Sequence, residues 1–214
     1  ILFVSNPIGA GVLLFPDALA LGVTIFWTLG MQNSMNFIDG LDGLSGGISL
    51  LAAVTLGLIA LPTSPLLAAL CFTLAGALVG FLRHNFHPAS IYMGTSGILA
   101  VAYALAVLAI LGTAKVAAAL LILGVPIIDA FFVILGRLLA GRSPYTPDKS
   151  HIHRRLLDNG FSHRSAVLVL YGITALLSIG ALLLTESATL YAFAGLLVVL
   201  GGVAVYLSRR AEGL

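Results

Sequence analysis

The sequence NSMNFIDGLDG, residues 33–43, stands between two long apolar runs, LLFPDALALGVTIFWTLGM at 13–31 and LSGGISLLAAVTLGLIAL at 44–61. Apolar runs of about 17 to 25 residues are long enough to cross a bilayer as a helix. The polar groups of residues 33–43 serve no solubility purpose between two such runs. We therefore predict a transmembrane helical protein whose chemistry is concentrated in this stretch.

A three-residue spacing relates Asn33, Asn36 and Asp39, and Asp42 stands one further step along. If the helix continues as far as Asp39, residues at this spacing lie on one stripe of its surface. Glycines interrupt the pattern beside both carboxylates, as expected where a helix ends and a substrate phosphate approaches the backbone. The alternative is a plain polar turn between two spans, with Asn and Asp as helix caps and Gly as the breaker.

The composition is that of a polytopic membrane protein. Hydrophobic residues make up 60% of the 214 residues and charged residues only 8%, with a mean hydropathy of +1.12, whereas about a quarter of the residues of a soluble domain are charged. The net charge of +2 is small and no basic tract with interleaved aromatic residues occurs, so a nucleic-acid partner is not indicated. The single Cys71 permits no disulfide within the chain.

About seven apolar runs are predicted as membrane spans, which together form one all-α transmembrane bundle over residues 1–214. Because the runs are continuously apolar rather than alternating, a β-barrel is excluded. The predicted spans cover roughly 13–31, 44–61, 66–82, 97–113, 116–136, 166–184 and 188–207.

Positive charge predicts which side of the membrane the polar connections face. If the connections 32–43, 83–96 and 137–165 and the tail lie on one side, that side holds every Lys and Arg except Lys115, mostly in 137–165. The positive-inside rule therefore predicts that these connections are cytoplasmic. Polar clusters at one surface rather than at the midplane also disfavour a secondary transporter.

The second polar connection, with its flanks, reads FLRHNFHPASIYMGTSG over residues 81–97. Arg83 at the end of a span is explained by snorkelling to the interface. Asn85 and the Gly-Thr-Ser-Gly turn at 94–97 are candidates for anion binding, since such a turn opening a helix presents free N–H groups and hydroxyls. Ser and Thr are also ordinary helix N-caps, which is the alternative for this turn.

The last large loop, RLLAGRSPYTPDKSHIHRR at 137–155, concentrates four Arg, one Lys and two His. This combination suits phosphates rather than a metal cage, because the His-x-His pair has no Cys or carboxylate partner at metal-ligand spacing. A solvated basic loop that obeys the positive-inside rule is the alternative.

Asp129 lies upstream within the fifth predicted span, where an unpaired charge is costly. We therefore expect Asp129 to have either a structural hydrogen bond or a role at the site.

Together, the three loops supply what phosphoryl transfer needs. Mg²⁺ is held by a few carboxylates together with phosphate oxygens, and cations stabilise the charge on the transferred group. At a membrane face, such a site would join a water-soluble phosphate donor to a lipid acceptor.

The chain resembles the polyprenyl-phosphate N-acetylhexosamine-1-phosphate transferases over nearly its whole length. Residues 33–44 reproduce the family motif Asn-x-x-Asn-x-x-Asp-Gly-x-Asp-Gly-Leu. The segments Arg142-Ser143-Pro144-Tyr145 and His151-Ile152-His153 resemble the loop of the branch that uses UDP-N-acetylglucosamine. The phospho-N-acetylmuramoyl-pentapeptide transferase branch usually carries three successive histidines and lacks the Ser-Pro-aromatic segment.

The resemblance implies a reaction in which an undecaprenyl-type phosphate attacks the sugar-linked phosphorus of a UDP-sugar, with release of UMP. This reaction would start cell-envelope polysaccharide synthesis at the bacterial plasma membrane. The alternatives are the phospho-N-acetylmuramoyl-pentapeptide transferase and a relative that binds nucleotide sugar or lipid without turnover.

The resemblance also implies residue roles and a cofactor, Mg²⁺, with Mn²⁺ as a possible substitute. The catalytic candidates are Asp39, Asp42, His151 and His153; the substrate-binding candidates are Asn33, Asn36, Asn85, Arg137, Arg142 and Ser143; the metal candidates are Asp39, Asn36 and Thr95. Thr95 stands where the family has an aspartate ligand. The seven spans are similar to the last seven of eleven, so we expect the C-terminal portion of a larger fold. For the chain as given, with Thr95 in place of the aspartate, we expect little or no transferase activity.

Overall fold

The computed structural model describes residues 1, 3–5, 12–112, 115–139, 141–143, 151–185 and 187–199. The described residues are nearly all helical, which confirms the predicted all-α class. A short antiparallel hairpin, β1 (Phe3–Ser5) and β2 (Val12–Leu14), precedes the helices. The helices are α1 (Asp17–Ile38), α2 (Leu44–Ala60), α3 (Pro65–Asn85), α4 (Gly94–Leu111), α5 (Lys115–Ile122), α6 (Gly124–Leu139), α7 (Ile152–Asp158), α8 (His163–Leu183) and α9 (Ser187–Val199).

Local sequence signals account for the helix ends nearest the polar stretch. Helix α1 begins after Pro16, with Asp17 in its first turn, where a negative charge complements the helix dipole. It continues to Ile38, so the helix predicted to reach the carboxylates does so. Gly43 then takes a left-handed conformation, with φ of +80°, immediately before α2 begins.

The number of spans differs from the prediction. Within the described residues, α3, α4 and α8 are long and apolar enough to cross a membrane, and α5 with α6 forms a fourth span if this bent pair is counted as one. Helix α2, with 17 residues, and α9 are shorter apolar helices. The chain is therefore a membrane protein, but the count of about seven is not confirmed.

The predicted continuous span at 116–136 is wrong. The chain breaks between Ile122 and Gly124, and the two helices meet at a bend of 76°. Pro126 explains the break, because a proline lacks the N–H that would bond to the carbonyl of Ile122 and its ring crowds that carbonyl. Hydropathy remains high across the break, so composition alone suggested a single helix.

Helix α2 packs against both α3 and α8, while α1 packs against α4 and α6. Glycines permit the close approaches: a Cβ added at Gly47 would lie 1.9 Å from ring atoms of Tyr171 on α8, and one at Gly57 would lie 2.8 Å from the Phe72 ring on α3. This packing gathers the end of α1, the start of α2, the end of α3 and the start of α8 at one end of the bundle.

Candidate active site

The turn between α1 and α2, residues 39–43, is the centre of the candidate site. Asp39 ends α1 and is half-buried, and the Ser45 hydroxyl donates a hydrogen bond to its Oδ1. Burial raises the pKa of Asp39 above its usual value, and the Ser45 hydrogen bond opposes that shift without reversing it. The turn thus holds a carboxylate that takes up a proton more readily than a surface aspartate.

Two side chains from other helices fasten Gly43 at the end of this turn. The Gly43 N–H donates to Asn85 Oδ1 at 3.1 Å, and the Tyr171 hydroxyl donates to the Gly43 carbonyl. Asn85 is only 5% exposed, and its Nδ2 donates to the Ile91 carbonyl at 2.9 Å. Asn85 therefore ties the turn to the loop after α3, while its substrate contact stays a prediction.

Asp42, the second carboxylate of the turn, is held by that same loop. Its Oδ2 lies 2.8 Å from His87 Nδ1 and accepts the Ala89 N–H at 3.2 Å. The hydrogen bond from His87 lowers the pKa of Asp42, and this effect exceeds the opposing effect of burial. Asp42 is therefore an ionised carboxylate at neutral pH.

His87 is itself positioned by the start of α8. Its ring stacks on that of His163, with centroids 4.0 Å apart and planes 16° apart. Arg164 Nε donates to the His87 carbonyl oxygen at 3.1 Å. The N-terminus of α8 is thus fastened to the loop that holds Asp42.

His151 and Asp129 form a second polar centre. Asp129 Oδ2 lies 2.8 Å from His151 Nδ1, and Asp129 Oδ1 accepts the Ile152 N–H at 2.7 Å. The Asp129 side chain is 7% exposed. A carboxylate facing Nδ1 favours the tautomer with the proton on Nδ1, which leaves Nε2 as an acceptor. Asp129 therefore bonds both to a predicted catalytic histidine and to a backbone N–H at the start of α7, and both alternatives given for it stay open.

His153 connects this centre to the turn. Its ring lies nearly parallel to that of His151, with centroids 5.7 Å apart, and a Cβ added at Gly40 would lie 2.2 Å from His153 Nε2. Burial lowers the pKa of His153 to about 4, so this histidine is neutral at physiological pH. Its Nδ1 is buried and has no hydrogen-bond partner within the described part of the chain.

An aromatic ring brings a cation to the same place. The Phe37 ring centroid is 5.6 Å from that of His151, and Arg137 Cζ is 6.0 Å from the Phe37 centroid. Arg137 is buried on α6. Its guanidinium supplies fixed positive charge near the two histidines.

Residues from all three polar loops thus come together, since both the loop at 85–91 and residues 151–153 contact the turn at 39–43. These contacts do not decide the roles of the other predicted residues. Asn33 is exposed and donates to the Leu29 carbonyl of its own helix at 2.7 Å; Asn36 is half-buried, and Thr95, Arg142 and Ser143 are exposed. Their roles stay predictions, and residues 144–150 of the last loop lie outside the described residues.

Sequence reasoning missed the residues that hold the two aspartates and their turn in place, namely Ser45, His87, His163 and Tyr171. His87 stands two positions after Asn85 in a loop already singled out, which was a usable signal. His163 and Tyr171 lie on an apolar span far along the chain, and no spacing pattern connects them with residues 39–43.

The fold and this site define a membrane protein that presents carboxylates, histidines and a buried arginine at one end of a helical bundle. Residues 1–113 match the family described as glycosyl transferase family 4, and the chain belongs to that family.

Curated relatives match over much of this chain. A probable undecaprenyl-phosphate N-acetylglucosaminyl 1-phosphate transferase of Bacillus subtilis is 40% identical over 81% of this chain and 50% of its own length. A decaprenyl-phosphate N-acetylglucosaminephosphotransferase of Mycobacterium tuberculosis is 34% identical over 95% of this chain and 58% of its own length. A phospho-N-acetylmuramoyl-pentapeptide-transferase of Trichormus variabilis is 44% identical, but over only 44% of this chain and 27% of its own length. The chain thus spans about half the length of the first two relatives.

Proposed function

We propose that this chain serves the transfer of N-acetylglucosamine 1-phosphate, or a related N-acetylhexosamine 1-phosphate, from a UDP-sugar to a membrane polyprenyl phosphate, with release of UMP. The observation that carries the proposal is the packing of His153 against Gly40, which joins the Asp39 turn to the His151–Asp129 pair. The names of the two relatives that match over most of the chain support the same reaction. The muramoyl-pentapeptide reaction has weaker support, because its relative matches less than half of the chain.

In this reaction an oxygen of the lipid phosphate forms a bond to the sugar-linked phosphorus, and the bond from that phosphorus to the UMP oxygen breaks. Asp39 suits the role of the base that takes a proton from the lipid phosphate. Its raised pKa brings it closer to the operating pH, where general bases are most effective. Asp42, whose pKa is lowered, stays charged and suits a fixed contact to the nucleotide.

His151 suits a role at the diphosphate. With Nδ1–H directed at Asp129, its Nε2 can accept a proton, and the carboxylate stabilises the imidazolium that results. Arg137 adds a permanent positive charge that favours an anionic transition state. His153, neutral and buried, fixes the position of the turn.

The oxygen donors near the turn fit Mg²⁺. Asp39 and Asn36 stand one helical turn apart, and Mg²⁺ is commonly held by one or two carboxylates together with substrate phosphates. Asp39 and Asn36 would hold the ion, and the role of Asp39 as a base would then fall to the carboxylate oxygen that the ion leaves free. Thr95 can offer only a neutral hydroxyl. When bound, Mg²⁺ supplies charge neutralisation on the diphosphate.

We further propose that the site faces the cytoplasm at the bacterial plasma membrane, where it would start envelope polysaccharide synthesis. The support is the asymmetry of Lys and Arg, which are concentrated on the side of the site loops. A reaction that uses a UDP-sugar also needs access to the cytoplasm, where such donors are made.

The test is UMP release in detergent from UDP-N-acetylglucosamine and a polyprenyl phosphate, with the 214-residue chain and with the product of the whole gene measured side by side. We expect release from the whole product with UDP-N-acetylglucosamine, none with UDP-N-acetylmuramoyl-pentapeptide, and strong loss in Asp39→Asn. Release with the pentapeptide donor alone would assign the other branch. A whole product that releases no UMP with either donor, but binds UDP-N-acetylglucosamine, would instead support the non-catalytic relative suggested by Thr95.

A further inference from the structure

A cluster of three metal-ligating side chains lies beside the turn: Asp42, His87 and His163 each offer an atom within 4.8 Å of the other two. They come from the α1–α2 turn, the loop after α3 and the first residue of α8. We propose that this cluster binds a transition-metal ion of the zinc class (Zn²⁺, Co²⁺ or Ni²⁺), separately from the Mg²⁺ predicted at Asp39.

The donor set favours this class of ion. Two imidazoles and a carboxylate suit Zn²⁺ and its neighbours in the first transition series, whereas Mg²⁺ takes oxygen ligands. Around a tetrahedral zinc ion with bonds of about 2.0–2.2 Å, ligand atoms lie roughly 3.3 Å apart. Asp42 Oδ2 and His87 Nδ1 are 2.8 Å apart, already closer than that spacing. The His163 atom is within 4.8 Å of both, so most of the movement needed to bind the ion falls to His163.

The unsatisfied histidine nitrogen is the second, independent observation. His163 Nε2 is buried and has no hydrogen-bond partner within the described residues. Leaving a buried polar atom without a partner is unfavourable, because the atom has lost its hydrogen bonds to water and gained none in return. Coordination through this nitrogen would remove that cost, whereas the Asp42–His87 hydrogen bond leaves it in place.

Coordination requires a limited rearrangement. An imidazole binds a metal in the plane of its ring, and the His87 and His163 rings are stacked 16° from parallel, so the rings must tilt apart. The His87 side chain is 38% exposed and has room to turn. Arg164 is exposed and directed at the His87 carbonyl oxygen, so solvent screens its charge from the ion.

A metal ion at this cluster would also affect UMP release, and this expected effect rests on the proposed function. An ion at this cluster occupies Asp42, the carboxylate predicted to contact the nucleotide. Zinc should therefore inhibit UMP release, and added Mg²⁺ should not restore it, because Mg²⁺ competes poorly for histidine nitrogen.

The direct test uses Co²⁺ alone as the probe, titrated into the purified 214-residue chain in detergent and followed by its visible absorption and by calorimetry. His163→Phe keeps the ring stack on His87 but removes the nitrogen ligands, and His84→Ala removes an exposed histidine in the last turn of α3 that lies outside the cluster. We expect one Co²⁺ per chain, affinity at least about tenfold weaker in His163→Phe, and unchanged binding in His84→Ala. Thermal unfolding checks that each variant is folded, and Asp42→Asn is a second ligand variant in which binding should also weaken.

Equal Co²⁺ affinity in the wild type and His163→Phe would overturn the proposal, as would the absence of a bound ion in the wild type. The inhibition arm separates this proposal from the proposed function. If the protein binds Co²⁺ through His163 but never releases UMP, the metal site is supported and the proposed reaction is refuted. If the protein is active and zinc inhibits its His163→Phe variant as strongly as the wild type, the metal site is refuted and the proposed reaction is not.

Discussion

Asp129→Asn tests how the structure prepares His151. Asparagine has nearly the same shape as aspartate, and its carbonyl oxygen can still accept the Ile152 N–H that now lies 2.7 Å from Oδ1. Its amino group then faces His151 Nδ1, where the carboxylate oxygen stood at 2.8 Å. A donor in that place turns Nδ1 into an acceptor and moves the proton to Nε2. The substitution therefore changes the tautomer of His151 with little change in packing.

The expected magnitudes follow from these two hydrogen bonds. Each hydrogen bond to a buried charged group contributes about 1.5–3 kcal/mol, against about 0.5–1.5 kcal/mol for a neutral one. Because Asn keeps two neutral bonds, we expect Asp129→Asn to lower the free energy of unfolding by roughly 1–3 kcal/mol. If His151 Nε2 must accept a proton, UMP release should fall by roughly 10²–10⁴-fold, the range for a lost or wrongly oriented acid–base group.

Three measurements on the protein in detergent check this: ¹⁵N chemical shifts of labelled histidine, kcat for UMP release from the whole gene product, and thermal unfolding. Asp158→Asn is the matched control, since Asp158 is an exposed acid on α7, the helix that follows His151. The wild type should show His151 protonated on Nδ1, and Asp129→Asn should show the proton on Nε2. A kcat for Asp129→Asn within about twofold of wild type, together with a changed tautomer, would refute the role given to Nε2.

Three further predictions concern the turn and its neighbours. Gly40→Ala places a Cβ 2.2 Å from His153 Nε2. The turn must then shift, so UMP release should fall by about a hundredfold. The control Gly22→Ala, with nothing within 4 Å of its Cβ, should behave as wild type. The pKa of His153 is lowered from 6.5 to about 4 in the folded protein, so between these pH values the unfolded chain binds the proton more readily than the folded one. The thermal unfolding midpoint should therefore fall as the pH is lowered from 6.5 to about 4. His153→Phe should remove this part of the pH dependence. Thr95→Asp in the whole gene product should raise UMP release and strengthen its Mg²⁺ dependence, and equal Mg²⁺ titrations of both proteins would show that another group already holds the ion.

The all-α class and the polar turn could be predicted from the sequence because both depend on local patterns. Long apolar runs reveal helices in lipid, and the glycines at 40 and 43 place a helix end at the carboxylates. The break at Leu123 could not be predicted from hydropathy, since the residues on both sides are apolar. Pro126 was the available signal, and its effect depends on whether neighbouring helices let the chain bend there.

The candidate site could be predicted only in part, because the sequence supplies residue types but not their partners. Asn85 illustrates this: an amide in a polar loop suggests a substrate contact, while the structure uses both of its polar atoms to hold backbone groups of Gly43 and Ile91. The partners of Asp42 depend on how α3 and α8 pack against α2, and no local spacing encodes that packing.

The two aspartates of one short turn have opposite electrostatic settings, and this difference argues for a division of labour. Asp39 is half-buried with a single hydroxyl donor, so desolvation raises its pKa; Asp42 accepts hydrogen bonds from His87 and from a backbone N–H, which lower its pKa. Where neighbouring titratable groups have pKa values displaced in opposite directions, the group with the raised pKa is suited to exchange a proton and the other to remain charged. The structure produces this contrast by capping α1 with one carboxylate against buried surface and by turning the other toward the loop after α3. For the proposed reaction we therefore expect Asp39 to take part in proton transfer and Asp42 to keep its charge throughout.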